Sequence, residues 1–172
     1  PKLNIVKHSD YIPSVWLPTF SSRCIDMNFH RIEALAEHFV YFNDDFFLTN
    51  NTTPDFFFKD GLPCDAAVIL SGAPGADMFR GNFWHAPMMC TSIINTHFNK
   101  KEVMKRNPSK WYNLQYRRFL KENIWRTRDF AFTGFGNWHM PYGYLKSTYE
   151  EVWKAEGDYL GKVSSHRFRD AN

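Results

Sequence analysis

His38-Phe39-Val40-Tyr41-Phe42-Asn43-Asp44-Asp45-Phe46-Phe47-Leu48 is the stretch from which the rest of the chain is read. Large apolar and β-favouring residues run from Phe39 to Phe42 without polar alternation, the pattern of a strand buried on both faces. The run breaks at Asn43-Asp44-Asp45 and then resumes. Two adjacent carboxylates at the end of such a strand are costly to desolvate unless a cation meets them. In open α/β sheets the ligand crevice lies at the carboxyl ends of the strands. A divalent metal carrying a diphosphate is the natural partner for acids placed there. A tight turn accounts for the same three residues, because Asn and Asp favour turns.

Upstream, Ser21-Ser22 reads as a helix start, and Ile25, Phe29, Ile32 and Ala36 recur at helical spacing. The spacing predicts a helix over about 22–36 that feeds the strand with almost no loop, half of a β-α-β crossover. Before it, Lys2 to Lys7 reads as a short strand, and Pro13 and Pro18 punctuate an extended segment. Downstream, residues 49–62 read as a surface loop closed by the plug Phe56-Phe57-Phe58. Ala66 to Leu70 is a second short buried strand, ended by Gly72, Pro74 and Gly75. Those glycines have neither a Walker lysine nor the G-x-G-x-x-G spacing of a phosphate cradle.

Met88 to Lys105 is helical in pattern, with Ile93, Ile94, Phe98 and Val103 as core positions. After a break at Asn107-Pro108-Ser109, the residues from Trp111 to Trp125 suggest a very basic helix carrying Arg117, Arg118, Lys121 and Arg126. Basic residues among aromatics can bind single-stranded nucleic acid. An amphipathic surface helix with its aromatics inward is the commoner arrangement, so no nucleic-acid partner is expected. Asp129 to Gly136 reads as a loop or short strand leading to Asn137-Trp138-His139-Met140-Pro141-Tyr142. Ser147-Thr148, with Glu150-Glu151 following, resembles a capped helix start.

With 172 residues, 44% of them apolar and 18% aromatic, the chain is long and apolar enough for one domain with a core. A net charge of +3 is mild and suits an anionic substrate. Three widely spaced cysteines argue against a disulfide framework or a zinc site and fit a reducing compartment. No apolar run approaches the roughly 20 residues that a membrane span needs. The chain begins at Pro1 without Met and stops soon after a basic segment, so we expect residues 1–172 to be one catalytic domain truncated at both ends.

Several blocks resemble the Stealth family, which includes bacterial capsular-polysaccharide phosphotransferases and the catalytic subunit of the lysosomal N-acetylglucosamine-1-phosphotransferase. Leu17-Pro18-Thr19-Phe20-Ser21-Ser22, Ile25-Asp26, His30-Arg31-Ile32 and Glu37 to Asp45 are similar to its second signature block. His139-Met140-Pro141-Tyr142 with Glu150 to Trp153 resembles the third, and Ser165 to Asp170 the opening of the fourth. The first block, a Thr-Trp-Val-Asp-like strand that helps hold the nucleotide, is missing.

The resemblance implies transfer of a sugar-1-phosphate from a nucleotide-sugar to a sugar hydroxyl of a saccharide acceptor, in capsular or exopolysaccharide synthesis. It implies an α/β fold, a partial Rossmann-like, GT-A-like sheet with flanking helices. A metal-dependent glycosyltransferase that releases nucleoside diphosphate is the alternative. Asp44 and Asp45 are the expected catalytic pair and the ligands of Mg2+ or Mn2+, although neighbours on a strand face opposite ways unless it ends or bulges there. Asn43 then orients a ligand or caps a turn. His139 is the candidate general base, and a packed histidine in an aromatic loop is its other reading. His166, Arg167 and Arg169 are candidates to clamp the transferred phosphate, or form a solvated basic end. Ser21, Ser22 and Arg23 lie at a helix start that favours anions, where plain capping explains the serines as well. The expected location is cytoplasmic, with any contact at the inner face of the membrane made through parts outside this chain.

Overall fold

A computed structural model of the chain describes residues 3–70 and 85–168. They fall into two units, one drawn from residues 3–64 and 140–168 and the other from residues 65–70 and 85–139.

In the first unit, helix α1 covers only Ser22–Met27, followed by a single 3-10 turn at Phe29–Arg31. The helix expected to reach residue 36 is stopped by Asn28. Its side-chain amide donates to the Cys24 carbonyl at 2.7 Å, taking the acceptor that a continuing helix would give to a backbone N–H. The same buried Asn28 accepts from Arg31 Nε at 2.9 Å, which holds the turn. No strand forms over residues 3–7.

Strand β1, His38–Tyr41, is followed by a hairpin of β2, Phe58–Lys59, and β3, Leu62–Pro63. Asp60 and Gly61 join the hairpin with φ of 53° and 75°, the two positive angles of a type I′ turn, for which Asp-Gly is a favoured pair. The stretch expected to be loop therefore contains a hairpin. Strand β4, Tyr142–Leu145, pairs antiparallel with β1, with Phe39 opposite Tyr144 and Val40 opposite Gly143. Gly143 is buried, and a Cβ there would stand 2.8 Å from the Phe57 carbonyl oxygen and 2.9 Å from the Phe58 ring. Only glycine lets the hairpin lie that close to β4.

Both sheets are two-stranded. The fold is thus a mixture of helices and small antiparallel sheets. The expectation that Phe39–Phe42 is buried on both faces is corrected: β1 is half-buried, its His38 end is exposed, and Phe42 lies outside it and exposed. Burial on both faces needs a layer packed on each side of the sheet, and the side chains of β1 remain partly accessible. The parallel crossover expected from helix followed by strand does not form among the described residues.

Helix α6, Lys146–Ser165, follows β4 directly and bends at Glu156. Its N-terminus is capped from outside. The Glu37 carboxylate accepts from Ser147 N at 3.3 Å and from the Ser147 hydroxyl, so the capping expected of Ser147 and Thr148 is performed by an acid just before β1. Tyr11, Ile12 and Cys24 form the core, with Trp16, Leu17, Ile25 and Phe29 against it. Trp153 of α6 donates its indole N–H to the Met27 carbonyl at 2.7 Å, stacks on Trp16 and carries the Arg31 guanidinium over its face.

The second unit is helical: α2, His85–His97; α3, Lys100–Arg106; α4, Pro108–Trp111; α5, Arg118–Arg126. The single helix expected over 88–105 is divided at Phe98-Asn99. Asn99 caps α3 by accepting from Glu102 N at 3.2 Å, and Phe98 is exposed, not core. The basic helix expected from Trp111 to Trp125 is also broken up, with Leu114, Ile124 and Trp125 exposed. Ile69, Met104, Trp111 and Phe132 make the core. Val68 and Ile69 are buried as expected, but among the described residues their segment forms an isolated bridge from Ile69 to Phe135 and no strand ladder. Its backbone is also held by buried Asn123, which accepts from Ile69 N and donates to Ala67 O and Trp111 O, each at 2.7 Å. The glycine-rich Gly72–Ala76 segment lies outside the described residues.

Candidate active site

Asn43-Asp44-Asp45 lies one residue beyond β1 and forms a turn closed by Phe46 N donating to Asn43 O at 3.2 Å. The tight-turn reading of the triplet is thus met, and the turn carries Asp44 and Asp45 into solvent. Because the strand ends before them, the alternation that would send neighbouring side chains to opposite faces no longer applies.

The turn is anchored from behind. Tyr41, the last residue of β1, donates its hydroxyl to Asn43 Oδ1, and the same hydroxyl lies 3.3 Å from Asp26 Oδ1 on α1. A phenol has one proton to give, so two acceptors compete for it unless the carboxyl is protonated. Burial raises the Asp26 pKa above the usual carboxylate range, and the Tyr41 hydroxyl bond acts in the opposite direction. Burial and the nearby Asp26 push Tyr41 up to about 12. Burial also raises Tyr149, which packs against Phe39 and Tyr144. Asp26 and Tyr41 carried no role in the sequence reading. The signal open to the sequence was their place in the blocks similar to the second Stealth signature.

The other end of α1 meets the segment after α6. Phe20 N donates to Arg167 O at 2.7 Å, and the Phe20 and Phe168 rings stack at 5.3 Å. This brings Ser21, Ser22 and Arg23 together with Arg167 from a position more than a hundred residues later. Ser21 is buried, and its N–H donates to Thr19 Oγ1 at 3.2 Å. Ser22, His166 and Arg167 are exposed and Arg23 is half-buried. Helix α1 is thus the element the candidate residues of this unit share: its start faces Arg167 and its Asp26 reaches the Asn43 turn. His139 belongs to the second unit and is exposed. Arg169 lies outside the described residues.

No group of three or more His, Cys, Asp or Glu side chains converges among the described residues. That excludes an all-protein metal cage there. Asp44 and Asp45 still fit a hard ion of the magnesium type, which takes one or two carboxylates, keeps waters and completes its shell with phosphate oxygens.

Residues 1–64 match conserved region 2 of the Stealth proteins. The chain is 38% identical over 172 residues to the exopolysaccharide phosphotransferase cps2G of Lactiplantibacillus plantarum, covering 99% of this chain and 50% of that protein. It is 36% identical over 169 residues to the capsular polysaccharide phosphotransferase WcwK of Streptococcus pneumoniae, covering 98% and 50%. It is 38% identical over 169 residues to the receptor polysaccharide phosphotransferase WefC of Streptococcus gordonii, covering 98% and 49%. The chain is thus similar to the Stealth proteins over residues 1–64 and to polysaccharide phosphotransferases along nearly its whole length. It spans about half the length of these relatives. No described helix is long and apolar enough to cross a membrane.

Proposed function

We propose that the protein containing this chain transfers a sugar-1-phosphate from a nucleotide-sugar to the hydroxyl of a saccharide acceptor during capsular or exopolysaccharide synthesis. The observation that carries the reading is similarity to polysaccharide phosphotransferases along nearly the whole chain, with the paired acids of the Asn43 turn inside the matched region. In the longer protein these elements complete a Rossmann-like, GT-A-like sheet, and the enzyme works in the cytoplasm or at the inner face of the membrane.

The acceptor oxygen attacks the phosphorus next to the donor sugar, its proton leaves to a base, and nucleoside monophosphate departs. Asp44 and Asp45 hold Mg2+ or Mn2+, which supplies positive charge to the diphosphate and the leaving group when bound. Asn43 orients the same turn, kept in place by Tyr41 and Asp26. His139 is the base that takes the acceptor proton. Arg167, with His166 and Arg169, clamps the transferred phosphate, and Ser22 and Arg23 line the donor beside Arg167, with buried Ser21 supporting them from beneath. Catalysis of this kind rests mainly on positioning and charge.

The test is product analysis with the full-length protein, a nucleotide-sugar and an acceptor saccharide. Nucleoside monophosphate must appear, and chelation with EDTA must stop its release until Mg2+ or Mn2+ is restored. Release of nucleoside diphosphate would make the protein an ordinary glycosyltransferase instead.

A further inference from the structure

The second unit contains a hollow of about 500 Å3 that none of the assigned roles uses. Tyr116, Arg117, Arg118, Phe119 and Trp138 line it, together with Val68. The rings are held. Tyr116 donates its hydroxyl to Lys110 O at 2.8 Å and accepts from Ala67 N at 3.0 Å, and Phe119 meets Trp138 edge to face at 5.8 Å. A fixed aromatic wall with a negative ring face suits the C–H face of a pyranose.

The charges at the hollow are equally specific. Arg117 caps α5 with φ 50° and ψ −117°, a conformation that non-glycine residues rarely adopt. Such strain persists only where the surroundings enforce it, and it clusters at ligand clamps. Arg118 lays its guanidinium 4.8 Å over the Phe119 ring. Among the described residues no carboxylate pairs with either arginine. Two guanidiniums beside apolar rings call for a ligand that is anionic at one point and apolar next to it.

We propose that this hollow binds a saccharide carrying a phosphodiester, with a sugar ring against Trp138 and Phe119 and the phosphate on Arg117 and Arg118. The proposal rests on the transferase reading, because that reaction writes a sugar–phosphate–sugar link into its product and into any chain it extends further. Trp138 immediately precedes His139, so the hollow adjoins the candidate base along the chain.

Calorimetric titration of the full-length protein tests this with three probes. These are a disaccharide joined through a phosphodiester, the same two hexoses joined by a glycosidic bond, and a short single-stranded oligonucleotide. The phosphodiester probe is expected to bind about tenfold more tightly than the neutral one, as two charge-assisted contacts would give. Arg117→Gly, which removes the charge and relaxes the backbone, and Trp138→Ala should each weaken it about tenfold while circular dichroism stays unchanged. Equal affinity for the two disaccharides, or unchanged affinity in the folded variants, overturns the proposal. Tighter binding of the oligonucleotide overturns it in favour of nucleic acid. Because binding is read without turnover, the two readings fail separately. Nucleoside monophosphate release without saccharide preference sinks the hollow alone, and saccharide preference without that release sinks the transferase.

Discussion

Two buried polar clusters, one in each unit, are partnered differently. In the second, Asn123 is fully buried and spends its amide on three backbone partners, and buried Lys100 gives its ammonium to the carbonyls of Arg126 and Asp129 at the end of α5. A cation at a helix C-terminus is well placed to satisfy such carbonyls. In the first unit, Asp26 keeps a half-buried carboxylate whose pKa burial has raised, and it competes with Asn43 for one phenolic proton. Fully partnered polar groups hold a fold together, whereas partly partnered ones are retained where a site needs them. The Asn123 network thus reads as architecture, and the Asp26–Tyr41–Asn43 chain backs the turn that we propose as the site.

This contrast can be broken or sharpened by mutation. The largest effect is expected at the turn itself. Asp44→Asn or Asp45→Asn in the full-length protein should lower nucleoside monophosphate release at least about a hundredfold, the scale for losing an electrostatic catalytic group. The unfolding curve should not move, since both side chains are exposed. Wild-type rates in both variants would remove the turn from the site.

Asn123→Ala comes next and should act on stability. It strands the Ile69 N–H and the Ala67 and Trp111 carbonyls, at a cost of about 3 kcal/mol in urea unfolding. A change within error would mean those groups find other partners.

Asp26→Asn should separate the two properties. A carboxyl whose folded pKa is raised binds its proton more tightly in the native state, so native stability falls as pH rises from its unfolded value through the folded one. The neutral amide should thus raise the melting temperature at pH 7, with the gain shrinking as pH falls toward 4, while activity drops because the turn loses its anchor. A loss of both stability and activity would make Asp26 part of the framework.

His30 gives the smallest effect. Burial, and then the charge of Arg31, lower its pKa to about 4. The unfolded chain takes up the proton first, so this contribution to stability is present above about pH 6.5 and is lost as pH falls toward 4. His30→Phe should flatten that part of the stability-versus-pH curve, and an unaltered slope would assign it to another group.

Much of the candidate site could be read directly from the residues. The paired acids, the strand before them and the turn they form are local properties of adjacent side chains. So were the break at Asn107-Pro108 and the burial of Val68 and Ile69, where Pro punctuates and an apolar run must find cover. Asp26 was not legible, because its importance comes from a tyrosine fifteen residues away whose hydroxyl it shares. Periodicity also carried α1 too far, since it does not register that Asn28 can cap the helix with its own side chain. The Asp60-Gly61 hairpin is the reverse case: the turn signal was present and the surrounding phenylalanines obscured it.

By itself the amino-acid order determined which chemical groups are available and which short segments turn, extend or coil, because those depend on neighbours within a few residues. Only the tertiary structure decided that β1 pairs antiparallel with β4, that Glu37 caps α6, and that Phe20 draws the start of α1 to Arg167. Those choices depend on contacts between residues far apart in the chain, and such contacts are selected by the packing of the whole unit.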